Sequence, residues 1–440
     1  MSVINGAAVT IIGAGLAGCE AAWQLANREI SVELIEMKPQ KRSPAHVVDT
    51  FAELVCSNSL RSDELANAVG LLKEEMRRLG SLIIACADAT RVPAGGALAV
   101  DRDAFSALVT ERISAHPNIK VTNREVSSIP EGEVIISTGP LTSDVLTDEL
   151  RRLLPGSEFL SFYDAAAPIV TSESIDMNSA YLASRYGKGT ADYINCPLNR
   201  EEYIAFREAL VTAEEAEIHG FDDGGVFEGC MPIEVMARRG EDAMRYGPLK
   251  PVGLDDPRTG REPYAVIQLR RDNAEGTLYN LVGFQTHLKF GEQSRVFGMI
   301  PALANAEFVR FGKMHRNTYI DSPKLLNRYY SLENEPRISF AGQITGVEGY
   351  VESASSGLLC GLELARRIAG EASLDFPQET AIGALALYVS EGSVANFQPM
   401  NVNFGIITPL GYRVKGKRNK NFEISERALK IIAQKTGETV

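Results

Sequence analysis

"AAVTIIGAGLAGCEAAWQLANREISVELIEMK", residues 7–38, decides the fold, and it reads as strand, tight turn, helix, strand. Val9 to Ile12 is a short β-branched run of the kind buried in a parallel sheet. Gly13, Gly15 and Gly18 follow at GxGxxG spacing, with Ala14, Leu16 and Ala17 between them. The first glycine permits the turn, the second lets backbone approach a pyrophosphate, and the third lets the helix lie close on the sheet. A helix over 16–27 then directs its free N–H groups at the phosphates. The second strand, 32–35, runs into Glu36, whose carboxylate is placed to bind ribose hydroxyls. That acid suits FAD or NAD and disfavours a 2′-phosphate. "NREI" (27–30) lacks the glycine often found between such a helix and strand.

Two later stretches favour FAD. "EVIISTGP" (133–140) is a strand ending in Ser-Thr-Gly-Pro, like the strand that closes the nucleotide-binding half of flavoproteins with two dinucleotide sites. "RISFAGQITGVEGYVESASSGLLCGLELARRI" (337–368) is a strand, a glycine-rich turn and a small-residue helix. Gly342, Gln343, Gly346 and Tyr350 lie where such a segment returns to the first domain and points a helix N-terminus at a flavin. Gln343 stands where an acid is usual, so the contact there is a neutral amide. The expected class is α/β: a Rossmann-type FAD-binding domain of glutathione-reductase-like organisation, residues 1–160 and 325–440, split by an inserted α+β domain, 161–324. Within the insertion a helix is expected over 199–218 with Asn199 as its cap, and strands over 264–270 and 277–284.

Composition sets outer limits. At 440 residues the chain exceeds one average core, and 45% hydrophobic with 23% charged residues is ordinary for a soluble globular protein. No apolar run approaches the roughly 20 residues of a membrane span, and the N-terminus shows no signal-peptide pattern. Cys19, Cys56, Cys86, Cys196, Cys230 and Cys360 include no CxxC pair, which fits reduced thiols in a cytoplasm. The net charge of −12 argues against wholesale nucleic-acid binding, but "RVKGKRNK" (413–420) concentrates positive charge locally. Lys415, Lys417, Arg418 and Lys420 are the candidate phosphate contacts, against the alternative of a solvated surface loop.

"FEGCMPIEVMARRG" (227–240) sets Cys230 beside Glu228, with Arg238 and Arg239 following. Together with "AELVCSNSLRSD" around Cys56, "GPLKPVGL", "VGFQTHLKFGEQSRVF", "MHRNTYIDSPKLL" and "FAGQITGVEGYVES", it resembles the folate- and FAD-dependent tRNA (uracil-5-)-methyltransferases over about residues 8–420. The FAD half is also similar to the larger flavoprotein that modifies the wobble uridine of tRNA. The resemblance implies transfer of a one-carbon unit from 5,10-methylenetetrahydrofolate to C5 of a uridine in the T arm of tRNA. FAD would serve as cofactor and NADH or NADPH as transient reductant, with folate and tRNA as partners and no stable protein partner. Uracil C5 becomes nucleophilic only after a thiol adds to C6, and a base must then remove the C5 proton. The resemblance gives these roles to Cys230, with Arg238 or Arg239 lowering its pKa, and to Cys56 as acid/base or carrier; the reverse assignment is open. His287 is a candidate to stack on or hydrogen-bond a pterin, or else lines the interface between domains. Arg316, in "FVRFGKMHRNTY", is a candidate for the folate tail or RNA phosphate. Cys19, Cys86, Cys196 and Cys360 are expected to be structural. The competing readings are a flavin oxidoreductase on a small molecule with the cysteines as a redox pair, a flavoprotein modifying another tRNA uridine, and a non-catalytic flavin-containing RNA binder.

Overall fold

The computed structural model describes residues 8–154, 160–165, 167–187, 190–216, 231–312, 314–390 and 397–437. Its central element is a five-stranded parallel sheet in the order Ile338–Phe340, Glu133–Ile136, Ala8–Ile12, Ser31–Glu36, Ile119–Asn123. Val9 pairs with Val32 and Ile12 with both Ile35 and Ile136, so the apolar runs lie side by side in the sheet interior. The strand order reverses at Ala8–Ile12, which opens a crevice beyond the carboxyl ends of that strand and Glu133–Ile136.

The helix Leu16–Ala26 leaves this crevice and packs along Tyr350–Ala369, the small-residue helix expected to return from the far end of the chain. Their approach is set by glycines. A Cβ on Gly357 would lie 2.1 Å from Ala17 O, and one on Gly361 would lie 2.7 Å from Ala21 O. One apolar cluster accordingly joins residues between Val9 and Leu154 to residues between Tyr319 and Ile432.

A second cluster runs from Val170 to Leu303 beneath a six-stranded sheet ordered Tyr181–Ala183, Tyr193–Leu198, Ala265–Arg271, Leu278–Leu281, Ile169–Thr171, Phe308–Arg310. The alternation of its strands explains the layering. Ala265, Ile267 and Leu269 join the apolar cluster, whereas Arg270 and Asn280 line a cleft instead. Chain passes between the two clusters along an antiparallel pair, Leu160–Ala165 with Met314–Tyr319. A small three-stranded sheet, Ser59–Ser62, Ala97–Val100 and Arg91–Val92, completes the set.

The helix expected over 199–218 is shorter, Arg200–Thr212, although Asn199 caps it through a reciprocal box with Glu202. Residues beyond it pair elsewhere: Ala216 N donates to His287 O at 2.8 Å and Lys289 N to Glu214 O at 3.0 Å. An extended pairing partner therefore overrides helix propensity.

Candidate functional site

The first cleft, about 1160 Å³, lies at the switch point of the parallel sheet. Gly13 adopts φ +101° and its added Cβ would sit 2.7 Å from Ser137 O, while a Cβ on Gly18 would sit 1.9 Å from Gly13 O. Gly15 differs from both. Its φ is ordinary at −77°, and an added Cβ would meet nothing within 4 Å, because it projects into the cleft. The helix begins at Gly15 without a side-chain cap, so its N-terminal dipole and backbone donors face that space. Glu36 closes the end of the neighbouring strand. One carboxylate oxygen accepts from Ala14 N at 2.8 Å and the other from Lys38 N at 3.0 Å, so the group is fixed while each oxygen retains a lone pair. Ala14, Leu16 and Ala17 line the same wall. The groove, the uncapped helix and the fixed acid fit a dinucleotide.

The far wall is the C-terminal return. Gly342, Gln343 and Tyr350 line the first cleft, and the Tyr350 helix starts at Gly349, again without a side-chain cap. Gly346 lies behind that wall, where its added Cβ would fall 2.4 Å from the Phe397 ring. Sequence spacing gives no notice of Lys38, Ser43, His46 and Glu53, which also line the cleft. His46 Nδ1 stands 2.6 Å from Ser43 Oγ, and burial, reinforced by Lys38, pushes its pKa down to about 4, so the ring is neutral at pH 7.

Val55, Pro140, Leu141, Gln343 and Tyr350 line a second cleft as well, which adjoins the first and measures about 1320 Å³. Cys56, half-buried, opens onto it. The segment 56–58 is held from two sides. Tyr350 Oη accepts from Cys56 N at 2.7 Å and from Ser57 N at 3.2 Å. From the six-stranded sheet, Arg270 donates through Nη2 to Ser57 Oγ at 2.7 Å and through Nε to Asn58 Oδ1 at 3.0 Å. Asn58 Nδ2 donates in turn to Val100 O at 2.9 Å and Arg271 O at 2.8 Å. Beneath them Arg102 donates to Leu54 O and forms a bidentate pair with Asp272 at 2.8 and 3.1 Å.

Cys230 lies outside the described residues, and with it the expected effect of Arg238 or Arg239 on its thiol; Arg238 itself pairs with Glu215. The Arg316 side chain is likewise outside them. His287 is 7% exposed, with Nε2 2.5 Å from Glu215 Oε2 and Nδ1 2.6 Å from Glu234 Oε1, the latter off the hydrogen-bonding direction. Burial lowers its pKa, but the Glu234 and Glu215 carboxylates outweigh it, so the net shift is upward. Neither cleft is lined by His287; Gln285, two residues away, lines the second. Cys19, Cys86, Cys196 and Cys360 are buried and free, as expected of structural thiols.

Lys415, Lys417, Arg418 and Lys420 are all exposed. The helix Lys417–Thr436 starts on three of these cations, with no acid in its first turn, an arrangement the helix dipole disfavours. Arg418 approaches Glu64 to 3.4 Å.

The fold and the first cleft define a Rossmann-type dinucleotide-binding protein to which a thiol-bearing cleft has been joined. The profile of the glucose inhibited division protein A family matches residues 8–372, and the chain belongs to that family. It is similar to the methylenetetrahydrofolate–tRNA-(uracil-5-)-methyltransferase TrmFO of Acetivibrio thermocellus, 62% identical over 97% of this chain and 98% of that one. The Bacillus subtilis protein of the same name is 58% identical, with 98% of each chain covered. Among solved structures, Aquifex aeolicus GidA has a TM-score of 0.69 at 16% identity, covering 100% of this chain and 75% of that chain, a likeness of fold.

Proposed function

We propose that the protein transfers a one-carbon unit from 5,10-methylenetetrahydrofolate to C5 of a T-arm uridine in tRNA, in a cleft beside bound FAD. The single observation that carries this reading is the adjacency of the clefts. Cys56 opens onto a space that shares Gln343 and Tyr350 with the dinucleotide groove. High identity to the TrmFO proteins over nearly the whole chain supports the same substrates.

FAD would be held by Glu36 at a ribose, by the Gly13–Gly18 turn at the pyrophosphate, and by the Tyr350 helix at the ring. Bound there, it supplies the electrons that take a methylene to a methyl group. NADH or NADPH acts as a transient donor. The protein's own contribution is thiol and proton chemistry. Cys230 adds as thiolate to uracil C6 and raises electron density at C5. Once the new bond to C5 has formed, Cys56 as thiolate removes the C5 proton, and the freed electron pair restores C5=C6 and expels the Cys230 thiolate. Tyr350, which accepts from the backbone N–H groups of Cys56 and Ser57, fixes where that thiol stands. Folate and the flipped base occupy the second cleft, with Arg316 assigned to folate or RNA, while Lys415, Lys417, Arg418 and Lys420 contact tRNA phosphates. His287, buried between Glu215 and Glu234 and lining neither cleft, is not assigned to either ligand. The corresponding division is a flavin domain, 1–160 and 325–440, with the insertion, 161–324, forming the opposite wall. A cytoplasmic location follows from a tRNA substrate and reduced thiols; among the described residues no helix is long and apolar enough to cross a membrane.

The test is a mass-spectrometric count of ribothymidine in a tRNA transcript incubated with protein, FAD, methylenetetrahydrofolate and NAD(P)H. Cys56→Ala and Cys230→Ala should each abolish product. A 5-fluorouracil transcript should still be trapped covalently by Cys56→Ala and not by Cys230→Ala; the opposite pattern reverses the two roles. Full turnover by both variants refutes the mechanism.

A further inference from the structure

Asn280 lies on Leu278–Leu281, between two other strands of the six-stranded sheet. Tyr279 and Leu281 on either side of it pack into the second apolar cluster, so alternation turns Asn280 to the opposite face. There it lines the Cys56 cleft. Asn280 is 2% exposed, and its Nδ2 has no hydrogen-bond partner among the described residues. A buried amide donor without a partner costs more than the same site filled by carbon, so its presence needs a reason.

The cross-strand register supplies one. Asn280 pairs directly with Arg270, so the two side chains are neighbours on one face. Arg270 is committed to Ser57 and Asn58, which follow Cys56 directly in the sequence. Asn280 is therefore a fixed donor beside the thiol-bearing segment, in a wall that also carries the amides of Gln285, Asn317, Gln343 and Asn401. Side-chain amides present one donor and one acceptor at fixed spacing, which matches the –CO–NH– edge of a heterocyclic lactam.

We propose that Asn280 is the recognition residue of this cleft, donating through Nδ2 to a ring carbonyl oxygen of a lactam heterocycle. Uracil and a pterin both carry that group, so the chemistry is shared and the source is an experimental question. The inference rests on the second cleft being the place of reaction.

The experiment compares Asn280→Ala and Asn280→Asp with the wild-type holoenzyme, titrating tRNA and methylenetetrahydrofolate separately. Asn280→Ala should raise KM for one of the two by about 10-fold, the loss of one neutral hydrogen bond, and leave the other within about twofold. Asn280→Asp, which replaces the donor with an anion facing a carbonyl, should raise the same KM by about 100-fold. A shift for tRNA identifies the base as the partner, and a shift for folate identifies the pterin. Because Nδ2 has no partner among the described residues and truncation opens into the cleft, Asn280→Ala should keep or slightly raise the melting temperature. Unchanged KM for both substrates overturns the inference. So does a lowered melting temperature with equal losses toward both, which makes the amide structural. Cys56→Ala run in parallel separates the two layers: if it retains full turnover, the reading of the cleft fails, whatever Asn280 does.

Discussion

Replacing Gly15 by alanine separates ligand binding from folding in a way the other glycines do not permit. Gly15 has φ −77° and ψ −171°, which any residue adopts, and its added Cβ meets no atom within 4 Å. The methyl group therefore adds no strain, and loss of chain entropy in the unfolded state should stabilise the FAD-free protein by about 0.4–1 kcal/mol. The same methyl group stands where a pyrophosphate must approach the helix N-terminus. Weakening one charge-assisted hydrogen bond costs about 1.5–3 kcal/mol, or roughly a 10- to 150-fold rise in the FAD dissociation constant. Gly357→Ala is the control. Its Cβ would be 2.1 Å from Ala17 O and 2.7 Å from Ala17 C, both backbone atoms that cannot rotate away. The two helices must separate, at about 1–3 kcal/mol or more. Calorimetry of the FAD-free proteins and flavin-fluorescence titration read the two quantities independently. Gly15→Ala binding FAD as tightly as wild type, or unfolding as early as Gly357→Ala, refutes the reasoning.

Three further outcomes follow from the same geometry. Changing Lys415, Lys417, Arg418 and Lys420 to alanine should weaken tRNA binding and flatten its dependence on log salt by about 0.7–0.9 for each phosphate no longer neutralised; an unchanged slope in filter-binding assays removes them from the interface. His46 has a folded pKa of about 4, depressed below its ordinary value of 6.5, so the stability tied to its neutral form is complete above pH 6.5 and falls away as pH drops through 4. Urea denaturation at about pH 7 and pH 4.5 should show a smaller difference for His46→Asn than for wild type, and an equal difference refutes this. Asp272→Asn leaves Arg102 buried without its anion, which should cost about 3–5 kcal/mol in thermal or chemical unfolding; a cost below about 1 kcal/mol would mean that the guanidinium reaches water.

The dinucleotide groove was legible in the chain because every requirement acts within about thirty residues. Gly13 must accept a positive φ, Gly18 must clear Gly13 O, and Glu36 must end the adjacent strand; each fixes a residue type at a fixed spacing. The helix over 199–218 was overextended because the residues after Thr212 pair with 287–289, a competitor that no local pattern reveals. The Cys56 cleft was beyond local reading for the same reason. Arg270 finds Asn58 across 212 positions, and Asn280 reaches the cleft because Arg270 lies opposite it on the next strand. Short-range sterics write the nucleotide-binding turn into the sequence. The polar wall facing the thiol arises only when two distant strands and a loop are brought together, since a hydrogen-bond partner is defined by position in space and leaves no period along the chain.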